Sequence, residues 1–231
     1  MNFSKAESVG IVCSSGLQMT NTAWLSTAYL APVDYYRCLV EFDKIIVEQY
    51  CNYVKQTYRN RCVIASANGL QVLSIPVERT DSPKCQTKDI RISDHDNWRH
   101  LHWNAIVSAY NSTPFFEYYE DDFRPFYERE YKFLFDFNEA LRELICSLID
   151  IEPKIHYTSS FGVFGNEIIS SSDSENQPIN DFREAIHPKK SPLHPDFKPY
   201  YQVFDAKFGF QPNLSIIDLL FNMGPESVLW L

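Results

Sequence analysis

Glycine is scarce in this chain, seven residues in 231, and the phosphate-cradling loops that depend on it are missing. There is no G-x-G-x-x-G, no glycine loop ending in Lys-Ser/Thr, no His-x-Gly-His and no G-x-S-x-G. Nucleotide binding and a hydrolase-type serine elbow therefore have no support from motifs. The six cysteines, at 13, 38, 51, 62, 85 and 146, include no C-x-x-C pair and no metal-ligand spacing. Several have apolar neighbours, as in Cys62-Val63-Ile64 and Ile145-Cys146, and read as reduced thiols acting as small hydrophobes. His95, His100 and His102 are close in sequence, but on a helix they do not share one face, and the expectation is no metal. Nothing identifies a cofactor. No apolar run approaches the ~18 residues that cross a bilayer, and the start lacks a basic segment followed by an apolar one. The reading is neither membrane span nor export, with the cytoplasm as the expected compartment. Positive charge is short as well, 21 Lys and Arg against 30 Asp and Glu, giving −9 and a pI near 5.1. Nucleic-acid affinity rests on neutralising phosphates, so the charge balance argues against a nucleic-acid partner. The basic run Arg183, His187, Lys189, Lys190, His194, Lys198 is spread over prolines and reads as a solvated face.

What is abundant is aromatic bulk, 17 Phe and 14 Tyr, in a chain that is 45% hydrophobic. Large rings build a core from few positions, and this length suits a single domain over 1–231. The expected class is α/β, with a central mixed sheet made of a β-α-β unit plus a β-hairpin, and a mainly helical second half. Ser8–Cys13 is a strand or part of an extended leader over 1–22. Trp24–Tyr29 is a strand running into Pro32, which opens a helix to Glu41, and Lys44–Glu48 is a buried strand. Arg61–Ala65 and Leu70–Ile75 flank Asn68-Gly69 and form a hairpin. A short strand is expected at Asp89–Ile92. A helix from Asn97 to Tyr110, capped by Asp94 or Asp96, buries Trp98, Leu101, Ala105 and Ala109. The stripe Phe116, Tyr119, Phe123, Phe126 is helical and core-facing, with a break near Pro125. Asp136 caps a further helix through Leu148, and Ile155–Thr158 is a strand. The polar stretch 170–179 reads as a mobile loop. Ser215 and Asp218 have capping-box spacing ahead of a helix stopped by Gly224 and Pro225.

The stretch 52–61, Asn-Tyr-Val-Lys-Gln-Thr-Tyr-Arg-Asn-Arg, carries the clearest sign of binding. It follows an apolar strand and groups amides, an ammonium, two guanidiniums and two rings, the donors and stacking planes that hold an anion or a sugar. The candidate substrate-binding residues are Asn52, Tyr53, Tyr58 and Asn60, with Lys55 and Arg61 as the cations that offset charge on a donor or intermediate. On an extended segment 53, 55 and 61 share parity. The turn from Tyr29 through Pro32 is a second candidate, since open α/β sheets bind ligands beyond the carboxyl ends of their strands. Thr158-Ser159-Ser160 offers hydroxyls but is better read as a turn. Asp218 is a candidate buried acid or a plain cap.

Other residues carry a family resemblance. Ala28-Tyr29-Leu30-Ala31-Pro32 with Tyr35-Tyr36, then Asn52-Tyr53-Val54-Lys55 with Tyr58 and Asn60-Arg61, Leu73–Val77, Trp98–Tyr110, Pro114-Phe115-Phe116, Tyr200-Tyr201-Gln202 and Asn213–Asn222 with Gly224 resemble the blocks of the WbqC-like family. The likeness spans most of the chain from Trp24 onward, and its last block is the most specific. It implies a place in bacterial surface-polysaccharide (O-antigen type) biosynthesis, with transfer of an aminoacyl or acyl group to a sugar or sugar nucleotide. It also implies that Gln202 and Asn222 are amide donors near the site; for a transferase Asp218 is the candidate base, and the expected partner is a small or sugar-linked anion. The chain departs from the pattern where Thr27-Ala28 stands for Gln-Pro, Asn52 for Gln, and Gln49-Tyr50 for paired aspartates. Those departures keep open a non-catalytic binding or scaffolding protein.

Overall fold

A computed structural model describes residues 21–79, 84–164, 167–168 and 179–231. The strand or leader expected at Ser8–Cys13 and the loop at 170–178 lie outside these residues. Ile179 itself begins a strand.

Strand β1 (Thr22–Ser26) is buried at every position, so TAWLS is a continuous rather than an alternating pattern, as parallel strands covered on both faces require. Helix α1 (Val33–Glu41) follows, with Pro32 at its N-cap rather than inside it, and turns Tyr35, Tyr36, Cys38 and Leu39 inward. Strand β2 (Lys44–Glu48) returns parallel to β1 in the register Thr22↔Lys44 to Ser26↔Glu48. The sheet gains β5 (Ile155–Tyr157) beyond β2, and β8 (Ile179–Asp181) on the far side of β1, both parallel. The order is β5-β2-β1-β8. From β1 the chain therefore moves one way to β2 and β5, then crosses back to β8. Connections diverge between β1 and β8, the place where sheets of this kind open a crevice at their carboxyl edge.

The hairpin forms with β3 (Arg61–Ser66) and β4 (Gly69–Ser74) antiparallel, as its own two-stranded sheet. Its turn residues are Ala67 and Asn68, and Gly69 takes the positive φ of 105°. Two short strands, β6 (Val163–Phe164) and β7 (Glu167–Ile168), pair antiparallel.

Most of the remaining chain is helical: α2 (Trp98–Tyr110), α3 (Phe116–Glu128), α4 (Leu134–Leu148), α5 (Asp205–Phe208) and α6 (Ile216–Met223). The ring stripe is core, with Phe116 and Phe123 edge-on to Phe221 of α6. Several local expectations are corrected. Helix α3 runs through Pro125 to Glu128, its last turn closed by Arg129 N–H to the Pro125 carbonyl. Asp136 lies inside α4, which starts two residues earlier without a side-chain cap, and neither Asp94 nor Asp96 caps α2. Leu101 is 57% exposed while His102 and Ile106 are buried, so the inner face of α2 is rotated from the one expected. Thr87–Asp89 is a 3-10 turn, and the Asp89–Ile92 strand reduces to isolated bridges at Arg91 and Ile92. Gly224 does end α6: its φ is 59°, and a Cβ there would sit 2.5 Å from the Phe115 ring.

Candidate functional site

The end of β1 and the start of α1 form one wall of a cleft at the switch point. It is lined by Ser26, Thr27, Ala28, Tyr35, Thr57, Tyr58 and Arg59, with Phe182, Arg183 and Ile186 arriving from just past β8. The segment between β2 and β3 is fixed over this edge by backbone bonds. Tyr29 N–H donates to the Tyr58 carbonyl at 2.8 Å, and Asn138 Nδ2 of α4 donates to the Arg59 carbonyl at 2.8 Å. Arg59 is consequently carried inward and is 3% exposed. Its Nη2 donates to Ser26 Oγ at 2.8 Å and Glu184 Oε1 at 3.0 Å, with Cys51 Sγ at 3.8 Å, and Nη1 reaches Thr57 Oγ1 at 3.4 Å. Its Nε has no partner among the described residues. The hydroxyl of Tyr35, also 3% exposed, has none either. Burial, reinforced by the nearby Glu139 charge, holds that phenol well above the usual range, so it stays a neutral donor. Tyr58 is pushed up to about 12 by burial, with Asp34 adding to it. One guanidinium N–H and one hydroxyl left unpaired beside one cleft are costly, at ~1–3 kcal/mol for each unmet group, and such groups are the ones a ligand satisfies.

A second polar layer backs the cleft. Thr27 Oγ1 donates to Glu139 Oε1 at 2.8 Å, and Glu139 Oε2 accepts from Arg142 Nε at 2.9 Å and the Tyr157 hydroxyl at 3.1 Å. Glu48, at the carboxyl end of β2, is fully buried and accepts from Tyr50 N–H, Thr158 Oγ1 and Gly162 N–H at 2.8 to 3.0 Å. Thr158 is therefore a tie between β5 and β2. Arg183, expected on a solvated face, lies flat on Trp24 with its Cζ 3.2 Å from the ring centre and is forked to Asp181 at 2.8 and 2.9 Å.

The predicted residues separate into two places. In the 52–61 stretch, which is irregular and turning up to Asn60 and strand only from Arg61, Asn52 and Lys55 are exposed. Tyr53 is half-buried with its hydroxyl unpartnered among the described residues and its titration pushed up to about 12, chiefly by burial. Asn60 donates to the Ile75 carbonyl at 2.9 Å, and Arg61 is half-buried at the start of β3. Of this set Tyr58 lines the cleft.

Asp218, Gln202 and Asn222 lie in the helical layer instead. Asp218 is no helix cap: its carboxylate accepts from Tyr110 at 3.0 Å, Tyr200 at 2.7 Å and Gln202 Nε2 at 2.8 Å, while Ser215 Oγ turns to the Leu30 carbonyl. Burial lifts it to about 6 against the pull of those three donors. Asn222 Nδ2 donates to the Asp218 carbonyl. Gln202 borders a cavity of about 170 Å3 with Ala65, Leu70, Phe204, Phe208 and Gln211, which shares no lining residue with the cleft. Among the described residues no three His, Cys, Asp or Glu side chains group as metal ligands, and His102, bonded to the Tyr29 hydroxyl, is driven down to about 4 by burial.

Arg59, Glu139 and Arg142 were not singled out from the sequence, and Arg183 was read only as part of a solvated face. One signal was legible for two of them: Phe135, Glu139, Arg142 and Cys146 recur at helical spacing and are all buried, a second inward face of α4 carrying an ion pair.

Fold and cleft define a parallel α/β protein with arginines at the carboxyl edge of its sheet. The sequence profile of the WbqC-like protein family matches residues 27–177, and the chain belongs to that family. It is similar to an uncharacterized protein of Mycobacterium tuberculosis, Rv1507c, at 24% identity over 226 residues, covering 90% of this chain and 96% of that one. No solved structure matches it. Among the described residues no helix is long and apolar enough to cross a membrane.

Proposed function

We propose that the protein binds an anionic, sugar- or aminoacyl-bearing substrate in the cleft between β1 and β8 and serves bacterial surface-polysaccharide biosynthesis, transferring an aminoacyl or acyl group to a sugar. The observation that carries the binding half is the pair of unpartnered buried donors, Arg59 Nε and the Tyr35 hydroxyl, at the switch point of a parallel sheet. In this reading Arg59 takes the charge-offsetting role expected of Lys55 and Arg61, because a guanidinium withdrawn from water holds an anion far better than an exposed ammonium. Tyr58 supplies a ring and a donor. The transferase half rests on the family resemblance.

A rival reading, binding without chemistry, is favoured by one feature: Glu48 and Glu139 are each held by three donors, which leaves neither as a ready base. Titrating wild type and Arg59→Lys with nucleotide sugars and aminoacyl or acyl donors checks the site. A loss of at least tenfold in affinity, about 1.4 kcal/mol, is expected for a true ligand. Unchanged affinity discards the cleft, and binding without turnover selects the rival.

A further inference from the structure

The contact between Arg59 and Glu184 is unequal. The guanidinium side chain is 4% exposed and the carboxylate 60%, so a surface side chain reaches in to a buried cation. It also meets that cation poorly. Glu184 engages Nη2 through one oxygen at 3.0 Å, although Nε and Nη2 lie on the same edge of a guanidinium and a carboxylate can take both. Nε is left empty among the described residues. The cleft beside Arg59 has a volume of about 10 Å3, room for about one water, and Glu184 holds the Nη2 that an incoming anion would need. Such a half-exposed pair holds itself weakly, and the neighbouring Arg183 is already committed to Asp181 on both prongs.

We propose that Glu184 is a stand-in for the ligand. The cleft takes a carboxylate, of the kind a uronic-acid sugar or an amino acid carries, which displaces Glu184 and binds side-on to Arg59 Nε and Nη2. The proposal rests on the cleft being the binding site and adds the chemical class of its ligand and the internal group that competes for it.

Glu184→Gln keeps the shape and removes the competing charge. Glucuronate, acetate and inorganic phosphate are titrated into wild type, Glu184→Gln and Arg59→Lys, following the side-chain Nε–H resonance of Arg59 by NMR. Glucuronate and acetate are expected to bind Glu184→Gln at least fivefold more tightly than wild type, to shift the Arg59 Nε–H signal, and to bind more tightly than phosphate. If the two anions bind wild type and Glu184→Gln equally well yet lose affinity in Arg59→Lys, the stand-in role is wrong and the site survives. Tighter binding of phosphate overturns the carboxylate assignment. An Arg59 signal that stays still in every titration overturns both the stand-in and the site.

Discussion

Two buried carboxylate neighbourhoods in this molecule look alike by composition and differ in what they leave undone. Around Asp218 two tyrosines and a glutamine converge on one carboxylate, and Gln202 also closes a two-way exchange with the Gln211 backbone at 2.8 and 3.0 Å. Around the β1 edge, Glu139 is equally well served, yet Arg59 and Tyr35 beside it keep an unpaired donor each among the described residues. The first arrangement ties α2, α6 and the segment at 200–202 together, and all three donors on the Asp218 carboxylate are already engaged. The second keeps two donors unengaged among the described residues. Saturation, rather than the presence of titratable groups, separates a structural knot from a candidate site.

The largest expected effect breaks the knot. Asp218→Ala strands the hydroxyls of Tyr110 and Tyr200 and the Gln202 amide, and should cost about 3–5 kcal/mol in urea unfolding. A loss under about 1 kcal/mol would mean the network is not what holds this region.

Acid tests the Asp218 network next, against a buried histidine of opposite sign. Burial lifts Asp218 to about 6 in the native state, above the ~3.9 of an unfolded aspartate, so this group adds stability as pH falls from 6 to 4. His102 works the other way: burial lowers it to about 4 from an unfolded ~6.5, so its contribution is present above 6.5 and is lost as pH falls to 4. Each spans ~3 kcal/mol by linkage, and between pH 4 and 6 they nearly cancel. Asp218→Asn should unmask the histidine and lose ~2–3 kcal/mol more than wild type between pH 6 and pH 4. Parallel stability curves for the two proteins would refute the raised carboxyl.

At the cleft the same logic predicts the opposite sign. Tyr35→Phe removes a hydroxyl that costs free energy while unpaired, so the empty protein should be unchanged or more stable by about 1 kcal/mol, with ligand affinity falling several-fold. Destabilisation beyond ~1 kcal/mol would show that this hydroxyl is already satisfied. The smallest effect is expected at Lys55→Ala, within ~0.5 kcal/mol in stability and under about twofold in binding, because that side chain is exposed. A tenfold loss there would return the site to the outer loop.

Local pattern was enough for the scaffold. Ile45-Ile46-Val47 is a buried strand by composition, Pro32 and the rings after it start a helix, and Gly69 between two β-branched runs closes a hairpin, each through interactions a few residues long. The donor-rich stretch 52–61 was legible as a stretch, and which of its cations is buried was not. Period-two parity picked 53, 55 and 61, but parity has no meaning where the backbone turns, and Gln56 even takes φ 61°. The sequence left Asp218 between a buried acid and a plain cap for a related reason: its spacing from Ser215 satisfies a cap, and nothing local reveals tyrosines 18 and 108 residues away.

From the chain alone came an acidic, aromatic-cored α/β protein of the WbqC-like family with donors gathered at 52–61. Folding decided which of those donors is withdrawn from water and which opening it faces. Arg59 meets Ser26 across 33 residues and Glu184 across 125, and Thr27 meets Glu139 across 112. Burial of a charge is a property of what packs around it, and here the packing groups come from four distant parts of the sequence.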